Sequence, residues 1–288
     1  MKKIIWLAAA LVLLAKVSFA DGQTLSLFVK GNEAYKKQDY KEAIKDYEDI
    51  LKKGKTSGAI YYNLANAYYK DGQLGKAVLN YKRAQRLLPR DSDIRFNARY
   101  AAGFVRQSVR MKRNFFQKLL ARYTEFYTGD EMVLIITLSV FGLAVVFLLS
   151  RFWKWPRPWR YASRVFFIMG IIFFGTGYIF KSTSQNKEAV MIDKSAAYFE
   201  PLKDSTEHFQ LYKGAVVKEI KEEGQWVKIR RGDGLLGWVP KAAVEKIYDG
   251  AALAHLFSFG GCFPGPCQRL TSGTRVSAGL SEFRPLSE

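Results

Sequence analysis

The sequence predicts a multi-domain α + β membrane protein: an α-helical repeat array, a transmembrane helical hairpin and a small all-β barrel, in that order along 288 residues. Three observations predict it. Two stretches of the amino-terminal half are self-similar at a fixed spacing, two later runs are apolar and uncharged, and the stretch after them alternates short β-rich runs with turn residues.

The chain carries 45 Lys plus Arg against 26 Asp plus Glu. Such a basic excess admits a nucleic acid or an anionic membrane surface as partner. Position decides between them. The cations gather beside the apolar runs, so the lipid bilayer accounts for them and no nucleic acid is required.

The first residues, "MKKIIWLAAALVLLAKVSFAD", have two lysines, an apolar stretch and small residues Ser18 and Ala20 two apart. That is the layout of a secretory signal over residues 1–20, cleaved after Ala20, with an uncleaved anchor as the other reading. Either way the segment that follows is exported. The two Cys, Cys262 and Cys267, lie near the other end, so no disulfide staples the domains.

In the array, "GNEAYKKQDYKEAIKDYEDIL" from Gly31 aligns with "ANAYYKDGQLGKAVLNYKRAQ" from Ala65 at a spacing of 34 residues without a gap. Gly31 pairs with Ala65, Ala43 with Ala77, Tyr47 with Tyr81 and Ile50 with Ala84, and Pro89 closes the second unit. The pattern resembles the tetratricopeptide repeat, where small residues let antiparallel helices approach and Tyr and Leu fill the space between pairs. Residues 24–108 then hold two units and a capping helix with Ile94, Ala98 and Ala101 on one side. The resemblance assigns Asn32, Lys36, Tyr62, Asn63, Asn66, Tyr69 and Lys70 to a peptide-binding groove, where amides and lysines suit a peptide backbone and its carboxylates. Of the five positions that clamp a terminal carboxylate in some relatives, here Phe28, Asn32, Asn63, Asp93 and Asn97, only the first two Asn agree. No carboxylate clamp is expected.

Residues 109–131 form a basic juxtamembrane helix. Phe115, Phe116, Leu119, Leu120, Tyr123, Phe126 and Tyr127 fall on one stripe, with cations such as Lys118 and Arg122 behind. The stripe suits either the outer membrane interface or the preceding repeat helices.

Residues 132–149 and 165–180 contain no charge, and at 1.5 Å per residue they approach the roughly 30 Å of a hydrocarbon core. They read as two spans. Between them, in 150–164, "RFWKWPRPWR" places Trp153, Trp155 and Trp159 at headgroup depth, and Pro156 and Pro158 break the helix. Arg151, Lys154, Arg157, Arg160 and Arg164 make this a short basic loop, and such loops stay in the cytoplasm. Both flanking portions are thereby sent outward, in agreement with the signal.

From residue 188 to 247, β-rich runs are separated by Gly214, Glu223-Gly224 and "RRGDGLLG". Trp226 in "GQWVKI" and "GLLGWVP" with Trp238 and Pro240 resemble the bacterial SH3-like domain. Ala243 stands where proline-binding SH3 domains have a closing Tyr. Trp226 and Trp238 are either a ligand surface, with peptidoglycan as one candidate partner, or packing residues, Trp226 mostly core and Trp238 half-exposed. Residues 248–288 are rich in Gly, Ser and Pro without periodicity and are expected to be disordered.

No catalytic motif is visible. The two histidines, His208 and His255, belong to no catalytic or metal-binding spacing, and there is no phosphate loop or activated nucleophile. The reading is a non-enzymatic protein with no cofactor and no metal.

The order of signal, two repeat units, basic-looped hairpin and SH3-like domain resembles the BatE family of the bacterial Bat aerotolerance operons, over residues 1 to about 247. The resemblance implies an inner-membrane scaffold with both soluble domains periplasmic. It also implies partnership with membrane-anchored von Willebrand A-type proteins of the same operon, and a link to oxidative-stress tolerance.

Overall fold

The computed structural model describes residues 22–106, 114–152, 156–185 and 187–248. The signal, the tail from residue 249, both Cys, His255, Lys154, Trp153 and Trp155 lie outside the described residues.

The repeat array contains α1 (Gly22–Lys36), α2 (Tyr40–Lys52), α3 (Gly58–Lys70), α4 (Leu74–Leu87) and α5 (Ser92–Gly103). Polar side chains start three of them by accepting orphan backbone N–H groups. Asp39 accepts from the Glu42 amide at 3.1 Å, Ser57 from Ile60 at 3.2 Å, and Asp91 from Asp93 and Ile94 at 3.0 and 3.2 Å. The small residues sit where helices meet: Ala43, Ala65, Ala77 and Ala84 are fully buried. A Cβ on Gly31 would lie 2.7 Å from the Tyr47 ring. Ile94, Ala98 and Ala101 of α5 close the end of the core, as expected of a cap.

Three further helices follow: α6 (Phe115–Phe126), α7 (Gly129–Phe152) and α8 (Arg157–Gln185). Thr128 and Glu131 form a capping box at the start of α7, the hydroxyl accepting from the Glu131 amide at 3.1 Å and the carboxylate from the Thr128 amide at 2.9 Å. Gly129–Ser150 and Arg157–Thr183 are long and apolar enough to cross a membrane. They pair as a hairpin at small residues, with the Phe167 ring over Gly142 and Ser139 beside Gly170. The connection is shorter than the proline pair suggests. Residues 157–164, expected in the loop, already belong to α8, because Pro158 falls in its first turn, where a missing N–H costs nothing.

The carboxy-terminal sheet has β1 (Glu188–Met191), β2 (Ser195–Tyr198), β3 (Glu207–Leu211), β4 (Val216–Glu223), β5 (Trp226–Arg230), β6 (Leu236–Pro240) and β7 (Val244–Lys246). A 3₁₀ turn at Lys241–Ala243 precedes β7. The strands are antiparallel in the order β3-β2-β6-β5-β4-β1-β7. Residues of alternating parity point inward, so Met191, Val217, Val227, Ile229 and Val239 share one small core. The β4–β5 hairpin turns at Glu223-Gly224, with β4 running on to Glu223 and Gly224 at φ +55°.

Barrel and array are not separate. In β1, Ala189 and Met191 fill the barrel, while Val190 between them enters the core of the repeats, together with Ile247. Gly75 of α4 permits the approach: a Cβ there would lie 2.6 Å from the Ile192 carbonyl oxygen. Gly214, at φ +84°, turns against Val78 and Val105. A row of arginines on and just beyond α4 ties the joint. The Arg83 guanidinium donates to Glu245 at 2.9 Å and to the Lys246 and Ile247 carbonyls at 2.9 and 3.3 Å. Arg86 donates to Glu188 at 3.5 Å. Arg90 reaches the apolar hairpin, donating to Glu131, with its guanidinium 5.4 Å from the Phe126 ring.

Candidate functional site

The sequence placed a peptide groove on α1 and α3, and the structure divides those residues into two groups. Asn32, Tyr62, Asn63 and Asn66 are buried, and each is hydrogen-bonded within the array. Asn32 Oδ1 accepts from the Tyr47 hydroxyl at 2.7 Å and from Asn63 Nδ2 at 3.0 Å. One repeat later, Asn66 Oδ1 accepts from the Tyr81 hydroxyl at 2.6 Å and from Asn97 Nδ2 at 3.4 Å. Asn97 also donates to the Tyr62 hydroxyl at 2.9 Å. The ring pairs repeat too: Phe28 and Tyr47 are 6.1 Å apart at 54°, Tyr62 and Tyr81 6.1 Å apart at 55°.

This is a polar ladder between successive helix pairs, and it corrects the groove assignment of these four residues. With 0% of Asn63 exposed, its amide is used inside the array. Burial pushes the Tyr81 hydroxyl well above its ordinary pKa, which keeps it a neutral donor.

Lys36, Tyr69 and Lys70 are the group that reaches solvent. Each lysine lies in the last turn of its helix, where a cation complements the exposed carbonyls. Tyr69 joins a cluster that sequence reasoning missed. Its ring is 6.0 Å from Tyr100 and 6.2 Å from Phe104, and Phe96 stacks on Tyr100 at 6.3 Å and 14°. Phe96 is 41% and Phe104 45% exposed. Burial and then the neighbouring Tyr100 raise the Tyr69 hydroxyl to about 12. The signal was present as the i, i+4, i+8 spacing of Phe96, Tyr100 and Phe104, a row that runs along α5 to its C-cap. Arg95, Arg99 and Lys70 flank it, all exposed. The result is an aromatic patch edged by cations on the α3–α5 surface.

On the barrel, the two tryptophans differ, and the packing alternative is reversed. Trp238 is buried, beneath the Lys228 ammonium at 5.6 Å, because β6 is a central strand. Trp226 is half-buried at the start of β5, in edge contact with Tyr198 at 5.6 Å and opposite Pro240 in the register. A second aromatic group stands nearby on β2–β3: Phe199, 57% exposed, stacks on His208 at 4.2 Å.

The cations at the hairpin turn also separate. Arg157 is exposed and Arg160 half-buried. Arg164 is directed into the hairpin, donating to the Ser150 hydroxyl at 3.0 Å with its guanidinium 5.7 Å from Phe147. The side chain of Arg151, like Lys154, lies outside the description. Among the described residues there is no group of three His, Cys, Asp or Glu side chains able to hold a metal ion.

Residues 58–91, which span α3, α4 and the cap of α5, match the family model of the tetratricopeptide repeat. Residues 198–245 match that of the bacterial SH3 domain. The first module points to protein–protein interaction and the second to the cell wall. No curated protein and no solved structure matches the chain. The first repeat unit falls outside the matched range, yet the ladder and the ring pairs give it the same geometry as the second.

Proposed function

We propose that the chain is a non-enzymatic scaffold of the bacterial inner membrane, with its repeats and barrel in the periplasm and a protein partner held on the α3–α5 surface. The observation that carries this reading is the aromatic cluster of Tyr69, Phe96, Tyr100 and Phe104 on the α3–α5 surface, in which Phe96 and Phe104 are each more than 40% exposed. Exposed aromatics edged by Arg are the composition of binding hot spots. The membrane placement is supported by large side chains such as Phe141, Phe147 and Phe166, each more than 60% exposed along the apolar helices. A soluble core helix would bury them. The turn cations keep the connection in the cytoplasm.

By its resemblance to the BatE family, the partner is a membrane-anchored von Willebrand A-type protein, and the role lies in aerotolerance and oxidative-stress response. Co-purification from detergent tests the surface. Phe96→Ala with Phe104→Ala should lose the partner while the fold persists, and equal recovery from both proteins would overturn the assignment. Substituting Asn63 or Asn66 would not discriminate, because it breaks the ladder.

A second reading is supported by the half-buried Tyr198–Trp226 pair within the bacterial SH3 match: the barrel anchors the chain to peptidoglycan. Retention of the intact protein on purified cell wall, abolished by Trp226→Ala, is its expected result. Retention unchanged by that substitution would remove Trp226 from the site.

A further inference from the structure

We infer that α6 lies half-immersed in the outer leaflet and that its amino-terminal half is a lipid-binding surface. This rests on the membrane reading of the α7–α8 hairpin. The carboxy-terminal half of α6 is packed on α8. Tyr123 is 4.8 Å from the Phe173 ring, and Tyr127 is 5.5 Å from Phe174. A Cβ on Gly177 would lie 2.5 Å from the Tyr123 ring. The Lys181 ammonium donates to the carbonyls of Thr124, at 2.8 Å, and Tyr127, closing the end of α6 onto α8. Phe173, Phe174 and Gly177 all belong to the Arg157–Thr183 segment. The stripe of α6 that covers them therefore sits at the depth of that segment's outer end.

The same stripe continues toward the start of α6 and loses its protein partner. Phe115 is 74%, Phe116 79% and Leu119 57% exposed. At about 100° per residue these three side chains fall within the arc that holds Tyr123 and Phe126, and Lys118 and Arg122 lie along its edge. Both cations are exposed. An apolar stripe that is covered by an apolar helix at one end and open at the other is continuous with the hydrocarbon around that helix. The bordering cations reach headgroup phosphates. The sequence immediately before α6 adds Arg110, Lys112 and Arg113.

The consequence is mechanical. Arg90 holds both Glu131 and the Phe126 ring, so the tilt that lipid imposes on α6 is passed to the end of the repeat array.

Site-directed spin labelling of the full chain tests this. In a background of Cys262→Ser and Cys267→Ser, single cysteines are placed as Phe116→Cys, Leu119→Cys, Lys118→Cys and, as a reference on α7, Phe141→Cys. The labelled proteins are reconstituted into vesicles of phosphatidylethanolamine and phosphatidylglycerol, and collision with oxygen and with a water-soluble nickel chelate is measured. Oxygen should exceed the chelate several-fold at 116, 119 and 141, and the order should reverse at 118. If 141 is lipid-like but 116 and 119 favour the chelate, or are shielded from both reagents, α6 meets water or another protein and the inference falls. If 141 itself favours the chelate, the hairpin is not in the bilayer, and the membrane reading falls together with the inference.

Discussion

Asn97 on α5 donates its side-chain amide to the Tyr62 hydroxyl on α3 at 2.9 Å, and the bond has no counterpart one repeat earlier. Asn63 occupies the position of Asn97, but Phe28 occupies that of Tyr62 and has no hydroxyl. Phe28→Tyr should supply the missing acceptor and stabilise the array by about 0.5–1.5 kcal/mol. Tyr62→Phe should cost a similar amount. Urea denaturation of the two variants measures this, and a loss in Phe28→Tyr would mean that the ladder cannot accept a hydroxyl there.

The turn between helices gives a second asymmetry at the same spacing. Gln38 has φ +64° where its equivalent, Gly72, has φ +79°. A side chain in the left-handed region costs about 1–2 kcal/mol, and glycine returns part of that gain as extra entropy in the unfolded chain. Gln38→Gly should therefore stabilise the protein by about 0.5–1 kcal/mol. Thermal unfolding with a lower midpoint than the parent would contradict it.

Docking of the barrel on the repeats reverses an ordinary helix rule. Gly75 is the second residue of α4, and within a helix alanine is normally favoured over glycine, by up to about 1 kcal/mol in the interior. Here the added Cβ would meet the backbone carbonyls of Ile192 and Met191 at 2.6 and 2.9 Å. Gly75→Ala should be destabilising by about 1–3 kcal/mol, and hydrogen exchange should quicken in β1 and β7. Arg83→Ala should speed the same amides, since it strips three acceptors of their donor. A stabilised Gly75→Ala protein with unchanged exchange would show that the joint does not persist in solution.

One loop of the barrel carries a defined pH dependence. Arg231 Nε donates to both Asp233 oxygens at 3.1 Å and Nη2 to one at 2.7 Å, and the Leu235 amide donates at 3.3 Å. The Arg231 guanidinium holds this carboxyl below the usual carboxylate range. A depressed folded-state pKa contributes stability above the unfolded-state value and loses it as pH falls through the folded one. Asp233→Asn should cost about 0.3–1 kcal/mol at pH 7, less in high salt, because the pair is partly exposed. The gap between variant and parent should close on acidification. A gap that stays constant down to the acid limit would mean that charge is not its source.

Local pattern was enough for the elements. The 34-residue self-similarity located the two helix pairs, the uncharged runs located α7 and α8, and the β-rich runs between Gly214, Glu223-Gly224 and "RRGDGLLG" located the barrel strands. Each of these is a short-range rule of helix or strand geometry, readable along the chain. The partial failures share a different cause. Asn63 and Asn66 were assigned to a surface because amides usually seek solvent or ligand, and only the packing of three helices supplies the partners that bury them. Pro158 was read as a breaker because its effect depends on whether it falls inside a helix or in the first turn.

The kind and order of the parts are written along the chain: helical repeats, an apolar hairpin with a basic turn, and a β barrel. How those parts meet is set by the folded molecule: Val190 crosses from one core into another, and the Arg83, Arg86 and Arg90 row joins barrel, array and hairpin. The fold also decides which aromatics are buried and which reach the surface. Periodicity reports which side of an element is apolar, but a contact between residues more than a hundred positions apart leaves no period to read.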